Sequence, residues 1–271
     1  MGFESLHGSP HAHLPPPDAV APFHRLLASL GPDAPPTARL ACGPALQRAH
    51  RLVALPGSFN PPHRAHTALL DAARRAVGAE AAAFVLSART VDKEQVSGMW
   101  LEDRLWLLCR AADAVAAPSV VVTNRGLYVE QALALRALCP QLKTLTFVTG
   151  YDKIVQIFDA RYYDDRDAAL DELFSHAEFL VAPRGEATAR DLAALLALPE
   201  NVRYAPKVGS LAVEPSLAEV SSTRARAQVG LDDVDDSVRS FVRESGCYLN
   251  PVPESYAARG AAIRAAAAEP A

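Results

Sequence analysis

The chain has little of what marks a membrane-spanning, secreted or metal-clustered protein. No apolar run reaches the roughly 18 residues that a membrane helix needs. Residues 1–20 carry no lysine, no arginine and no long apolar stretch, so neither a secretory signal nor an arginine-rich transit peptide is expected. The cytoplasm is the expected compartment, with the nucleus also open. Cysteine is sparse: Cys42, Cys109, Cys139 and Cys247 are scattered and form no CxxC pair. They read as reduced, mostly structural thiols rather than a disulfide framework or a zinc cluster. Positive charge is short as well, with 27 Lys plus Arg against 31 Asp plus Glu and a net charge of −4. That argues against a dedicated nucleic-acid binder, which is usually basic over its binding domain. A small anionic ligand needs only a few local cations and stays compatible.

What is present is apolar bulk. Half of the 271 residues are hydrophobic, enough for a sizeable core and against wholesale disorder. Residues 1 to about 18 are rich in His, Pro, Gly and Ser and read as a disordered lead. Two short amphipathic pieces follow, FHRLLASL and PALQRAHRL, and are expected to be helices packed on the core. Residues 1–50 thus read as an extension, 51–250 as the main domain, and 251–271 as an Ala-rich tail expected to form a short, fraying helix.

From Arg51 a repeating pattern sets in. The apolar runs RLVAL, AAAFVL, SVVVT, LTFVTG and EFLVAP are separated by helix-like segments. Buried parallel strands read as continuous apolar runs of this kind. The alternation predicts an α/β, Rossmann-like, doubly wound open parallel sheet with helices on both faces. Ligands in such sheets sit outside the carboxyl ends of the strands, where most of the polar motifs fall.

The first motif is LPGSFNPPHRAH, Leu55 to His66. Gly57 and Ser58 follow the first run, where the backbone must turn sharply. Pro61 and Pro62 stiffen the entry into the next helix. His63 and His66, three residues apart, share one face of its first turn. The N–H groups and dipole of a helix start favour phosphate, and histidine there can donate to a phosphate oxygen. A zinc pair or local packing are the alternatives.

The second motif is EVSSTRARAQV, Glu219 to Val229. Ser221, Ser222 and Thr223 are good N-cap residues. They place Arg224 and Arg226 in a first turn, where cations oppose the helix dipole unless an anion docks there. Surface arginines on a solvated helix are the alternative. The third motif, FVTGYDKIVQIFDARYY, sets Gly150 and Asp152 past a strand, where Asp152 can accept from ribose hydroxyls or simply cap the next helix. A fourth segment, SARTVDKEQVSGMWLEDRLWLL, offers Lys93 and Arg104 as phosphate or carboxylate contacts and Trp100 as a stacking platform for a flat ring. A loop lysine, a surface arginine and a core tryptophan are the alternatives.

The string GSFNPPHRAH resembles the GSFNPxHxGH signature of the nicotinate and nicotinamide mononucleotide adenylyltransferases, within the HxGH nucleotidyltransferase superfamily. The second motif resembles the family's ISSTxxR, with Val220 in the place of Ile and Arg226 as the motif arginine. The third resembles its GxD element. The resemblance covers about residues 51–249. Ala65 stands where the family has glycine, which is expected to set the helix slightly further from the ligand. By resemblance, His63, His66 and Arg226 are catalytic. ATP would lie against Gly57, Ser58, Phe59, Asn60, His63, His66, Gly150, Asp152, Ser221, Ser222, Thr223 and Arg226. The acceptor would lie against Lys93, Trp100, Arg104 and Arg184.

The implied reaction moves the adenylyl group of ATP onto a pyridine mononucleotide phosphate, giving a dinucleotide and pyrophosphate. Mg²⁺ is expected, held mainly through the ATP phosphates, with no dedicated protein metal site. ATP and a pyridine mononucleotide are the expected partners. Nucleic acid and membrane are not, and a homo-oligomer is compatible. Other acceptors or donors of the superfamily (a pantetheine phosphate adenylyltransferase or a cytidylyltransferase), a non-catalytic nucleotide-binding protein, and a hydrolase using Asp164 and Asp165 are the competing readings.

Overall fold

The structure, a computed structural model, describes residues 14–88, 98–113, 118–182, 188–213, 220, 222–227 and 231–269. The five apolar runs form strands: β2 (Arg51–Pro56), β3 (Ala81–Ser87), β4 (Ser119–Thr123), β5 (Thr144–Gly150) and β6 (Glu178–Ala182). Two short strands join them, β1 (Ala38–Cys42) and β7 (Val208–Ser210). The helices are α1 (Pro17–Ala28), α2 (Arg64–Val77), α3 (Leu101–Asp113), α4 (Tyr128–Leu138), α5 (Tyr151–Phe158), α6 (Arg166–His176), α7 (Ala189–Leu196), α8 (Ser222–Arg226), α9 (Asp236–Ser245) and α10 (Glu254–Ala268).

One sheet holds the strands in the order β1-β4-β3-β2-β5-β6-β7. All neighbours are parallel except β1 on β4. Successive residues of a strand face opposite sides. On β2, Val53 and Leu55 pack into one buried cluster and Leu52 and Ala54 into the other. Both sides are covered, which is why the strands read as unbroken apolar runs. The crossovers from β2 to β3 to β4 step outward one way; those from β5 to β6 to β7 step the other way. The order therefore reverses between β2 and β5, and a crevice opens at their carboxyl ends. This is the expected doubly wound α/β architecture.

Three expectations fail at the edges. Residues 38–42, which fall between the two expected helices, are extended. They form β1, which runs antiparallel along the open edge of β4, so the extension completes the sheet instead of merely lying on it. Pairing with an exposed edge outweighs local pattern. PALQRAHRL forms no helix: residues 44–50 are irregular and bury Leu46 and Ala49, and Arg51 and Leu52 open β2. The lead ends sooner than about residue 18: the N–H of Leu14 donates to Glu244 (2.8 Å), and α1 starts at Pro17.

The alanine-rich tail is a packed helix of 15 residues rather than a short one. As α10 it packs along α1 and buries Tyr256, Gly260 and Ile263. Its Arg259 makes a two-pronged ion pair with Asp103 of α3, with distances from 2.7 to 3.1 Å, and Tyr256 donates to the same carboxylate (3.0 Å). Asp103 is fully buried. Burial pushes its carboxyl upward, against the pull of Arg259 and Tyr256.

The fourth correction concerns cysteine. Cys42 of β1 and Cys109 of α3 form a disulfide. No local spacing signals it, because the partners stand 67 residues apart and meet only once β1 joins β4 beneath α3. It removes the cysteine argument for a reducing compartment. Cys139 and Cys247 are buried free thiols, each pushed up to about 11 by burial, as structural thiols should be. No helix among the described residues is long and apolar enough to cross a membrane.

Two outcomes follow for stability. Replacing Arg259 by Met strands the Asp103 carboxylate in the interior and should cost roughly 3–5 kcal/mol in urea unfolding; a loss under about 1 kcal/mol would show that the pair is not a linchpin. Reducing the disulfide frees a loop of 67 residues, worth about 4 kcal/mol in the chain-entropy account. Dithiothreitol should therefore lower Tm by several degrees, and an unchanged melt would contradict the bridge.

Candidate active site

β2 delivers the first motif to the crevice. The N–H of Gly57 donates to the carbonyl of Val85 (3.1 Å), which prolongs the pairing with β3 by one residue. The chain then doubles under itself. Phe59 has a φ of 46°, in the left-handed region, and its ring is 1% exposed. The ring meets Phe84 edge-on at 5.4 Å and His66 at 4.9 Å. A Cβ at position 57 would lie 2.9 Å from that ring, so glycine is required there. A non-glycine residue in this conformation costs on the order of 1–3 kcal/mol and persists where packing over-determines it, commonly at functional sites.

His63 is the N-cap of α2 and is extended; the first turn that follows contains no acidic residue. The backbone N–H of His63 donates to Nδ1 of His66 (3.1 Å), and the two imidazoles stack with centroids 3.5 Å apart and planes 18° apart. The contact sets the tautomer. With Nδ1 accepting, a neutral His66 carries its proton on Nε2, as a donor. The expected histidine pair therefore exists, at the positive end of a helix. Ala65, in the place of the motif glycine, is 3% exposed: its methyl packs inward.

The second motif closes onto the first. Ser222 donates to the carbonyl of Pro61 (3.0 Å), and Arg226 donates to the carbonyl of Asn60 (2.9 Å) and to Thr223 Oγ1 (3.1 Å). α8 has only five residues, and Arg226 ends it. The expected conflict between Arg226 and the dipole of a first turn does not arise; two hydrogen bonds hold the guanidinium instead. Ser221 lies outside the described residues.

Gly150 closes β5 and caps α5, with Asp152 exposed in its first turn. Ala54 pairs with Phe147, so Gly57 and Gly150, each three residues on, lie at the same end of adjacent strands. The loops after β2 and β5 thus flank the crevice. Ser58 is exposed there, while the side chains of Phe59 and Asn60 are buried beneath it. These two support the cradle rather than line it.

On the acceptor side the sequence reading fares less well. Lys93 and Arg184 lie outside the described residues. Trp100 is a packing residue rather than an open platform. Its indole N–H donates to the carbonyl of Tyr256 (3.1 Å), its backbone N–H to the Tyr256 hydroxyl (3.0 Å), and its ring lies on Gly260 of α10. Arg104 is 6% exposed, with Nε donating to the carbonyl of Met99 (2.9 Å). Burial holds it below the ordinary arginine range, and the nearby Arg226 adds to that.

Sequence reasoning missed Tyr248 and Gly98. Tyr248 donates to Oδ1 of Asn60 (2.7 Å), and the backbone of Gly98 (φ 107°) lies on its ring. Gly98 lies within the fourth segment but is not singled out there, and a lone tyrosine after α9 carries no local signal.

Comparisons with known proteins agree with this architecture. Residues 54–228 match the family described as cytidylyltransferase-like. No curated protein sequence matches the chain. Among solved structures, a Plasmodium falciparum nicotinic acid mononucleotide adenylyltransferase complexed with NaAD is similar over 73% of this chain and 97% of its own, at 15% identity and a TM-score of 0.54. The same enzyme complexed with APC gives 16% identity, a TM-score of 0.51 and the same coverage. The matched span runs from the strand that carries the histidine loop through the helix that carries Arg226, so the chain belongs to the cytidylyltransferase-like family and is a nucleotidyltransferase.

Proposed function

We propose that the protein transfers the adenylyl group of ATP to the phosphate of nicotinate or nicotinamide mononucleotide, releasing pyrophosphate. The observation that carries this reading is the stacked His63–His66 pair at the start of α2, with Arg226 docked on the same loop. No nucleophilic Ser or Cys is needed, because the acceptor phosphate is itself the nucleophile. Catalysis then consists of positioning and charge stabilisation as the α-phosphorus is attacked and pyrophosphate leaves in line. His66 would donate through Nε2 to a phosphate oxygen. Arg226 would meet the charge that builds on the leaving pyrophosphate. Asp152, at the neighbouring strand end, would accept from the ATP ribose, and Arg104 would face the acceptor phosphate.

The donor set is imidazole and guanidinium, which suits anions and not a bare cation. Mg²⁺ would therefore ride on the phosphate oxygens, largely hydrated, and neutralise them. NaAD, named with the Plasmodium enzyme, makes nicotinate mononucleotide the first acceptor to try.

The test is pyrophosphate release with Mg²⁺, each mononucleotide, and ATP or CTP as donor. Transfer from ATP to a pyridine mononucleotide supports the reading; transfer from CTP alone, or to neither acceptor, overturns it. In that assay His66→Ala should lose on the order of 10²–10³ in rate while still folding, as removal of a preorganised donor does. Near-normal turnover would remove His66 from the chemistry. Arg226→Lys keeps the charge without the planar fork and should fall well below wild type, with Arg226→Ala lower still. The alanine variant should also lose about 1–3 kcal/mol of stability, since the Asn60 carbonyl gives up its donor. A purely structural arginine would instead lose activity only in proportion to the unfolded fraction.

A further inference from the structure

We propose that Tyr248 is a positioning residue for the transfer, holding Arg226 in place through Asn60 and tying the acceptor side of the site to the phosphate cradle. The inference rests on the adenylyltransferase reading above and assigns a role to the segment after α9, which none of the sequence motifs includes.

Asn60 is the junction. It is 4% exposed and bonded on both of its oxygens: the main-chain carbonyl takes Arg226 (2.9 Å) and the side-chain Oδ1 takes the Tyr248 hydroxyl (2.7 Å). The two oxygens sit on different amides joined through Cα and Cβ, and in a residue this buried a side chain held at one oxygen narrows the freedom of the main chain that carries the other. The hydroxyl thus fixes the plane of the Asn60 side chain, and with it the turn whose carbonyl aims the guanidinium. On its other side, Tyr248 is wedged by Gly98. A Cβ at that position would lie 2.5 Å from the ring, and the φ of 107° suits glycine alone. Gly98 immediately precedes Met99 and Trp100, the lead into α3, and Arg104 of that helix donates back to the Met99 carbonyl. The ring is therefore a spacer of fixed width between the acceptor-side helix and the ATP-side loop. Burial pushes the phenol well above its ordinary range. Near neutral pH it is therefore a neutral donor.

A spacer acts on alignment more than on binding, and misplacement by about an ångström can cost on the order of 10²-fold in rate. Tyr248→Phe keeps the ring against Gly98 and removes only the hydroxyl. It should lower kcat by roughly 10- to 100-fold with little change in the KM for ATP. The decisive comparison is a four-protein cycle of wild type, Tyr248→Phe, Arg226→Ala and the double variant. If Tyr248 works through Arg226, the double variant turns over no more slowly than Arg226→Ala alone. Losses that multiply, or a Tyr248→Phe enzyme with wild-type kcat, overturn the proposal. Melting temperatures of the same four proteins without nucleotide give a readout that needs no turnover. The shared Asn60 predicts a shift in the double variant smaller than the sum of the single shifts, and additive shifts sink the linkage. A wild-type protein inactive with every mononucleotide would overturn the adenylyltransferase reading, while the ligand-free cycle still decides whether Tyr248 and Arg226 are coupled. Gly98→Ala, which pushes the ring from its other side, should reproduce the fall in kcat.

Discussion

The structure depends on one piece of hydrogen bonding: the carbonyls of Asn60 and Pro61, exposed by a tight turn, are met by Arg226 and Ser222. A turn this abrupt leaves main-chain acceptors with no partner in the sheet or in the helix that follows. Acceptors buried without donors are destabilising by about 1–3 kcal/mol each. The donors come from 161 and 166 residues along the chain. The site therefore cannot form until the sheet is complete and the chain has returned from β7. It is a product of the whole domain, and each half-site is shaped by its fit to the other.

The sheet order explains why the two halves meet there. The reversal between β2 and β5 leaves their carboxyl ends open on both faces, and the loops after them, at Gly57 and Gly150, border the gap. The extension and the tail support this arrangement from outside. β1 covers the edge of β4, the disulfide ties β1 to α3, and Arg259 fastens α10 to the same helix. α3, which carries Arg104, is thus pinned from two sides. The segments that lie outside the matched family span hold α3 beside the sheet that carries the histidine loop.

The parts of this that were legible in the sequence are those with local causes. Runs such as SVVVT and LTFVTG announce strands buried on both faces, and proline and glycine around His63 announce a turn into a helix start. The HxxH spacing puts two imidazoles on one face, and they are found stacked. The parts that were not legible depend on contacts between distant segments. ARLAC becomes a strand only because β4 offers an edge. Trp100 looks like a platform until α10 covers it. Asn60 reads as a ligand contact within a motif, yet its oxygens are taken by Tyr248 and Arg226. The disulfide and the Asp103–Arg259 pair likewise have no sequence spacing that could betray them.

The central claim is that the histidine loop and Arg226 together serve attack of a mononucleotide phosphate on the α-phosphorus of ATP. Phosphorus NMR of the wild-type protein with ATP, Mg²⁺ and nicotinate or nicotinamide mononucleotide reads this directly. The account predicts that the mononucleotide phosphate signal is replaced by the paired resonances of a dinucleotide diphosphate, with free pyrophosphate growing in step. Release of ADP and inorganic phosphate, or an unchanged mononucleotide signal with both acceptors, would contradict it.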